Sequence, residues 1–202
     1  MCLFYQRKVV KEGPVVMSAV PESTTKTPTD TGLALPANLQ PDNPLWRFAL
    51  AFWQFDNVQA QCLALQQQGW SVTRLLSAGW LALNGRRYSG LEDATVTEWR
   101  ERVTGALRAI RQALPKADAE PGKFRAGVAS LELDAERIEL ALAWQTLTTN
   151  DPETGDMQGS RELIRANLVA AAPTAGAADR MRPQLNTLAG TLAAFSKGDL
   201  QP

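Results

Sequence analysis

Three glutamates at helical spacing are the residues best placed to do chemistry together. Glu132, Glu136 and Glu139 follow one another at gaps of four and three, which puts them on one face of a helix. Di-iron bundle sites combine such glutamates with Glu-x-x-His motifs. The chain contains no histidine, and it lacks the D-D-x-x-D motif of prenyl-transferring enzymes. The sequence therefore predicts a solvated acidic face and no metal site.

The composition also excludes most of the common kinds of catalytic site. Without histidine there is no Ser-His-Asp triad, Cys-His dyad, histidine metal site or histidine pH switch. Two cysteines, Cys2 and Cys62, are too few for a zinc cluster or a disulfide framework. The sequence also lacks Gly-rich phosphate loops. We therefore expect no catalytic residue and no cofactor, and we favour a non-catalytic protein-interaction or regulatory module.

An enzyme with an unrecognised small-molecule site is the alternative function. Such a site needs polar groups that converge in one pocket. The candidates for this polar cleft are Arg47, Gln54, Gln66, Thr73 and Arg74. Cys62 is not among them, because it lies on the apolar face of a predicted helix and no histidine is present to activate it. We expect an inert, buried thiol at this position.

A basic face on a later helix is a candidate binding surface. Arg100, Arg108 and Arg111, with Arg102 beside them, are expected to form an exposed stripe that suits an acidic partner or RNA. The chain carries 21 basic and 21 acidic residues, so its net charge is zero. A strong binder of the phosphate backbone needs a basic surface. Weak nucleic-acid binding therefore ranks behind protein binding and behind the enzyme alternative.

The helices on either side of Gly69 are arranged as in a helix-turn-helix. The second of them, 71–84, would have to present polar side chains to the edges of bases. Its side chains are mostly apolar, and only four of them are suitable. This composition argues against DNA binding.

Five helical patterns must position these side chains. None of the patterns is typical of a strand, and most of the Trp, Phe and Tyr residues lie between positions 42 and 148. Because large aromatic rings carry much of the buried area of a core, we predict an all-α fold with a compact domain of about five helices over 42–148. The patterns cover about 44–53, 57–68, 71–85, 95–114 and 123–148.

Three local signals refine this prediction. The first helix is apolar nearly all round, so it is expected at the centre of the domain. Gly79 in the third helix would let another helix approach closely. Thr95 and Glu98 form a T-x-x-E capping box, which is expected to begin the fourth helix.

The two ends of the chain differ in composition from this domain. Residues 1–41 are rich in Pro, Ser and Thr and are predicted to be disordered. Within them, Met17 is a plausible start, and we hypothesise that 1–16 is a misannotated extension. Residues 149–202 are predicted to be a linker with short amphipathic helices, which are only marginally stable unless they dock on the domain.

An apolar stripe in this tail is the favoured interaction element. It consists of Leu185, Leu188, Leu192 and Phe195, at gaps of three, four and three. We expect the helix that carries it to be mobile and to bind a protein partner or a second copy of the chain by helix-in-groove packing.

A pattern over the first three helices resembles a small proteobacterial family of unknown function. Its signature is W-x-F … C-L-x-L-Q … G-x-x-V-x-x-L-L … W, carried here by Trp46, 62–66, 69–76 and Trp80. The resemblance extends over about 45–148. It implies a helical fold and a bacterial, cytoplasmic origin, and it supplies no activity, substrate or cofactor. No run of 18 apolar residues occurs, so no membrane span is predicted.

Overall fold

The computed structural model describes residues 32–116, 120–149 and 160–195, and these residues form helices and loops with no β-strand. The predicted all-α class is therefore confirmed, although the helices outnumber the five expected. A π-helical turn, Arg100–Thr104, joins the α-helix Ala94–Trp99 to the α-helix Gly105–Ala113 in one continuous helix. The α-helices are α1 Pro44–Trp53, α2 Val58–Gln67, α3 Val72–Leu83, α4 Ala94–Trp99, α5 Gly105–Ala113, α6 Glu120–Thr149, α7 Arg161–Ala170, α8 Ala175–Arg180 and α9 Arg182–Ala194.

Side-chain caps explain where several helices begin. The Asn43 side-chain oxygen accepts a hydrogen bond from the Trp46 amide at 2.9 Å, and Pro44 occupies the first turn of α1. Ser71 caps α3 by accepting from the Arg74 amide at 3.3 Å. The predicted capping box at Thr95 is wrong, because Asp93 caps α4 and accepts from the Thr95 amide at 2.8 Å.

The centre of the fold is α3 rather than the predicted α1. Every residue of α3 except Arg74 is buried, and α3 contacts α1, α2, α6, α7 and α9. Helix α1 is also largely buried, but it leaves Arg47 exposed and Leu50 only half-buried. The difference arises because the C-terminal helices cover a side of α3 that a five-helix domain would leave open.

The C-terminal helices are part of the same hydrophobic core. Leu185, Leu188 and Leu192 are each no more than 2% exposed. A Cβ atom on Gly79 would lie 3.0 Å from Cδ2 of Leu192, so the close helix approach predicted at Gly79 is confirmed and the approaching helix is α9. The Phe195 ring packs edge-on against Phe48 and Phe52 of α1 and against Phe55 in the turn after it.

One buried amide ties α7 to the end of α3. The Asn167 side chain donates to the carbonyl of Ala78 at 3.1 Å and to that of Arg86 at 2.8 Å, while its oxygen accepts from the Tyr88 amide at 3.0 Å. Without the Asn167 side chain, these three backbone groups would lose these hydrogen bonds while staying buried. Asn167 therefore stabilises both the loop after α3 and the docking of the tail.

The segment before α1 runs alongside α6. Leu39 packs on the core, and the Pro41 carbonyl accepts a hydrogen bond from Arg137. Of the segment 1–41 that was predicted to be disordered, residues 1–31 lie outside the described residues, and so do the proposed extension 1–16 and residues 150–159 of the predicted linker. Among the described helices, none is both long and apolar enough to cross a membrane.

Candidate functional site

The three glutamates of α6 are buried, so the predicted solvated acidic face is wrong. Glu132, Glu136 and Glu139 are 0%, 0% and 1% exposed. They face the helix formed by α4, the π-helical turn and α5, which supplies Arg100, Arg108 and Arg111. A buried carboxylate must be paired with a cation or protonated, and these arginines provide the pairing. We call these six residues the Glu–Arg layer.

The first half of the Glu–Arg layer joins α5 to α6. Arg108 donates to one oxygen of Glu132 and to one oxygen of Glu136, both at 3.0 Å. Arg111 binds Glu132 through two of its nitrogens. Only 9% of the Arg111 side chain and 23% of the Arg108 side chain are exposed. The predicted basic stripe for an acidic partner is therefore wrong at these positions, because the arginines are engaged inside the protein.

The second half of the layer extends to α3 and to the loop before α4. Arg100 binds both oxygens of Glu92, at 2.6 and 2.7 Å, and one oxygen of Glu139 at 2.7 Å. Arg74 lies 3.2 Å from Glu92, and the Thr73 hydroxyl donates to Glu139. Three helices are therefore connected through one polar network next to the hydrophobic core.

Two glutamates of the layer have pKa values displaced in opposite directions. Burial raises the pKa of Glu136 to about 8; Arg108 opposes this rise, while the charges of Glu132 and Glu139 add to it. Burial also acts on Glu132, but the hydrogen bond and charge of Arg111 outweigh it and hold its pKa below the usual value. Within the described residues, Oε2 of Glu136 has no hydrogen-bond partner. Glu136 can therefore carry a proton near neutral pH.

The predicted polar cleft is only partly assembled. Thr73 and Arg74 meet in the network described above. Arg47 lies 3.6 Å from Asp42 in an exposed pair, and Gln54 is exposed at the end of α1. Gln66 is half-buried on α2. Sequence reasoning placed these five together, whereas the structure brings together only the two on α3.

A cleft of about 430 Å³ borders the Glu–Arg layer. The loop after α3 and the C-terminal end of α6 form its walls, and its lining includes Arg87, Tyr88, Leu91, Glu92 and Thr146. Glu92 is already bound by two arginines. Burial raises the pKa of Tyr88 to about 12, so its hydroxyl is neutral at ordinary pH. Glu92 therefore serves as an ion-pair partner within the fold.

An apolar groove lies on the outside of the helix pair α5 and α6. The α6 residues that join the main core run from Leu133 to Leu147, and the earlier part of this 30-residue helix packs on α5. Ile110, Phe124 and Leu131 are 48%, 62% and 55% exposed. The α5–α6 groove, about 690 Å³ in volume, is lined by Leu107, Ile110, Phe124, Gly127, Val128 and Leu131, with Glu120 and Lys123 at its rim.

Within the described residues, no group of three or more Asp, Glu or Cys side chains is arranged to hold a metal ion. In the Glu–Arg layer, the carboxylates face arginine nitrogens. This arrangement explains why glutamates at the spacing of a metal-binding bundle serve as ion-pair partners here.

We expect Cys62 to react slowly with thiol reagents in the folded protein. Its side chain is 1% exposed, and burial raises its pKa to about 12, so little thiolate is available. In a Cys2→Ser variant, whose only thiol is Cys62, labelling should be roughly a thousandfold slower than in denaturant. Rapid labelling of the folded variant would show that Cys62 is accessible and would reopen a catalytic or redox role.

Comparisons with known proteins point to one family. Neither the curated proteins nor the solved structures gave a match to the chain. A family model did match, and it spans residues 44–142, from the first residue of α1 into α6. This range contains the first three helices, the π-helical turn and the whole Glu–Arg layer. Over just under half of its length, the chain is therefore similar to the family described as "Protein of unknown function (DUF2390)".

Proposed function

We propose that this protein is a non-catalytic helical module that binds another protein through the α5–α6 groove. The observation that carries the proposal is the exposure of Ile110, Phe124 and Leu131 side by side on two packed helices. Large contiguous apolar patches are uncommon on isolated soluble proteins and mark interaction sites. The groove is continuous along α6, as a partner helix would require.

The buried ion pairs between α5 and α6 support this proposal. Arg108 and Arg111 face Glu132 and Glu136, and Arg100 faces Glu92 and Glu139. Because these arginines are engaged by carboxylates inside the fold, they are not free to bind an acidic partner. A bacterial, cytoplasmic setting is part of the proposal and rests on the family resemblance.

The groove replaces the tail as the interaction element. Leu185, Leu188 and Leu192 were expected to lie on a mobile helix, but they are buried against α2, α3 and α7. A partner would have to displace α9 from the core to reach them. The α5–α6 groove is open without any such rearrangement.

The proposal predicts that polar substitutions in the groove abolish binding while leaving the fold intact. The full chain should capture a protein from its native host or associate with itself. A Phe124→Ser, Leu131→Ser double variant should weaken that binding by at least about tenfold, because buried aromatic and aliphatic side chains dominate interface energies. Affinity purification followed by mass spectrometry, together with sedimentation, measures both forms of binding.

Leu91→Ser is the matched control for this experiment. Leu91 is 82% exposed but lines the cleft rather than the groove. It should leave binding and thermal unfolding unchanged. Binding that is lost in Leu91→Ser and kept in the groove variant would contradict the proposal and assign binding to the cleft beside Glu92.

A further inference from the structure

The cleft beside Glu92 continues inward into a small inner pocket. Both spaces are lined by Tyr88, Leu91, Glu92, Thr146 and Leu147. The inner pocket alone reaches Ser77 of α3, and its volume of about 10 Å³ leaves room for one water-sized group. The cleft itself, at about 430 Å³, has the size of a small-molecule site. Together the two spaces fit a small molecule with one polar group at its inner tip.

Two hydroxyl groups at the inner end are buried, and the described residues give them no hydrogen bond. Ser77 is 2% exposed and Tyr88 is 6% exposed. Within the described part of the chain, neither Oγ of Ser77 nor Oη of Tyr88 has a hydrogen-bond partner. A buried hydroxyl without a partner costs free energy, and such groups are rare in folded proteins. Both side chains line the inner pocket, so a ligand that reaches it can supply the missing hydrogen bonds.

The mouth of the cleft carries opposite charges. Arg87 and Asp93 line the cleft, and both are exposed. Hydrogen bonds from the hydroxyl and the amide of Thr95 hold the pKa of Asp93 below its usual value, so Asp93 is ionised at neutral pH. The other two charged residues of the lining are engaged within the fold, Arg86 by a backbone carbonyl of α6 and Glu92 by two arginines. The mouth therefore offers one cation and one anion to solvent.

The loop that forms one wall of the cleft, residues 86–93, is held by side chains from other helices. Asn167 of α7 binds two of its backbone groups, and Arg74 of α3 donates to the Gly90 carbonyl at 2.9 Å. Gly90 has a φ of +78°, and a Cβ atom there would lie 2.7 Å from the carbonyl oxygen of the last residue of α7. The loop therefore packs directly on α7, and a preformed cleft needs little ordering of the chain to bind a ligand.

The opposite charges at the mouth indicate the class of ligand. From them we infer that the cleft beside Glu92 binds a free α-amino acid. The Arg87 guanidinium pairs with the carboxylate of the ligand, and the Asp93 carboxylate pairs with its ammonium group. The cleft and the α5–α6 groove share no residue in their described linings, so this inference goes beyond the proposed protein binding and does not depend on it.

The side chain of the ligand occupies the rest of the cleft. Leu81, Leu91 and Leu147 line this part, and Leu91 is 82% exposed, so a ligand beside it would shield it from water. The tip of the ligand meets the hydroxyls of Ser77 and Tyr88. Burial raises the pKa of Tyr88 to about 12, so its hydroxyl keeps the proton that it donates. An uncharged polar side chain with an apolar stem therefore fits best, because a charged tip would be buried without an opposite charge.

Titration calorimetry of the full chain against each standard amino acid tests this inference. At least one amino acid with an uncharged polar side chain should bind in the micromolar to millimolar range. Its amide, which lacks the carboxylate, and its deaminated acid should each bind at least about tenfold more weakly. Arg87→Gln and Asp93→Asn should weaken binding similarly, and asparagine can still cap α4. Arg47→Gln, which removes an exposed arginine of α1, is the matched control and should bind as the wild type does.

Ser77→Ala distinguishes a ligand-binding hydroxyl from a structural one. Oγ of Ser77 has no hydrogen-bond partner within the described residues, and alanine is the better helix former. The free variant should therefore unfold at the same temperature as the wild type or at a higher one. Its affinity for the amino acid should nevertheless fall by about twofold to tenfold, because one hydrogen bond is lost. Scanning calorimetry and titration of the same preparations measure both quantities.

Three results would overturn the inference. The first is that no amino acid binds the wild type at concentrations up to about 10 mM. The second is that the amide or the deaminated acid binds as tightly as the amino acid, or that Arg87→Gln and Asp93→Asn leave the affinity unchanged. The third is a Ser77→Ala variant that is less stable than the wild type and binds equally well. The proposed function is tested separately, since the Phe124→Ser, Leu131→Ser variant should bind the amino acid as the wild type does.

Discussion

Replacing Leu188 and Leu192 together by serine is expected to unfold the whole helical domain, not only to release its tail. Both side chains are 1% exposed, and Leu192 packs against the backbone at Gly79 in the central helix. Truncating a buried leucine costs about 2–5 kcal/mol, and serine adds a buried hydroxyl. Two such losses amount to at least about 4 kcal/mol, which is a large part of the roughly 5–15 kcal/mol that stabilises a typical domain.

Urea unfolding followed by tryptophan fluorescence and far-UV circular dichroism measures this effect. The single Leu192→Ala variant should lose about 2–5 kcal/mol with one cooperative transition, which keeps the prediction measurable when the double variant does not fold. Leu91→Ser should change stability by less than about 0.5 kcal/mol, because its side chain is exposed. An unchanged main transition, with protease cleavage confined to the chain after residue 160, would contradict the prediction and show a separable tail.

The helices themselves were predictable because their signals are local. Asn43 with Pro44 marks the start of α1, and Ser71 lies at the start of α3. Gly79 predicted a close helix contact, and the structure supplies α9 as the neighbour. Each of these signals depends on a few residues within one or two turns, so a single sequence is sufficient to find them.

The docking of the tail was not predictable in the same way. The stripe of Leu185, Leu188 and Leu192 fits both a free amphipathic helix and a docked one, since the same spacing serves either purpose. The deciding contacts join residues far apart in the chain, such as Asn167 with Ala78 and Arg86. Sequence periodicity reports which face of a helix is apolar, but it does not report what covers that face.

The Glu–Arg layer was missed for a related reason. Charged residues on a helix are usually solvated, and the sequence analysis applied that rule to both the glutamates and the arginines. Arg108 and Glu132 are 24 residues apart and on different helices, so their pairing depends on how α5 and α6 pack. Conversely, Phe124 is one of the aromatic residues between positions 42 and 148 that were expected to form the core, and it is 62% exposed.

Protonation of Glu136 is expected to make the stability of this protein fall as the pH rises from about 5 to 8. Burial raises the pKa of Glu136 from 4.5 to about 8, so between these values the folded state keeps a proton that the unfolded state has released. Stability decreases with pH wherever the folded state binds more protons. The decrease attributable to Glu136 is roughly 3–5 kcal/mol, and it levels off above about pH 8.

A Glu136→Gln variant isolates this contribution. The glutamine oxygen can still accept the hydrogen bond from Arg108, and the amide does not ionise. Arg108 also keeps its ion pair with Glu132, whose pKa is lowered and which therefore stays ionised over the same range. The variant should match the wild type at about pH 5 and exceed it in stability by several kcal/mol at pH 9.

Urea unfolding of both proteins at a series of pH values measures the difference, because urea leaves ion pairs unscreened while guanidinium salts do not. The difference between the two proteins cancels the titration of every other group that they share. Glu98→Gln, which removes an exposed carboxylate paired with Arg102, should give a small and flat difference over the same range. A flat profile for Glu136→Gln as well, or a variant less stable than the wild type at pH 9, would mean that Glu136 is ionised in the folded protein and that Arg108 offsets its burial.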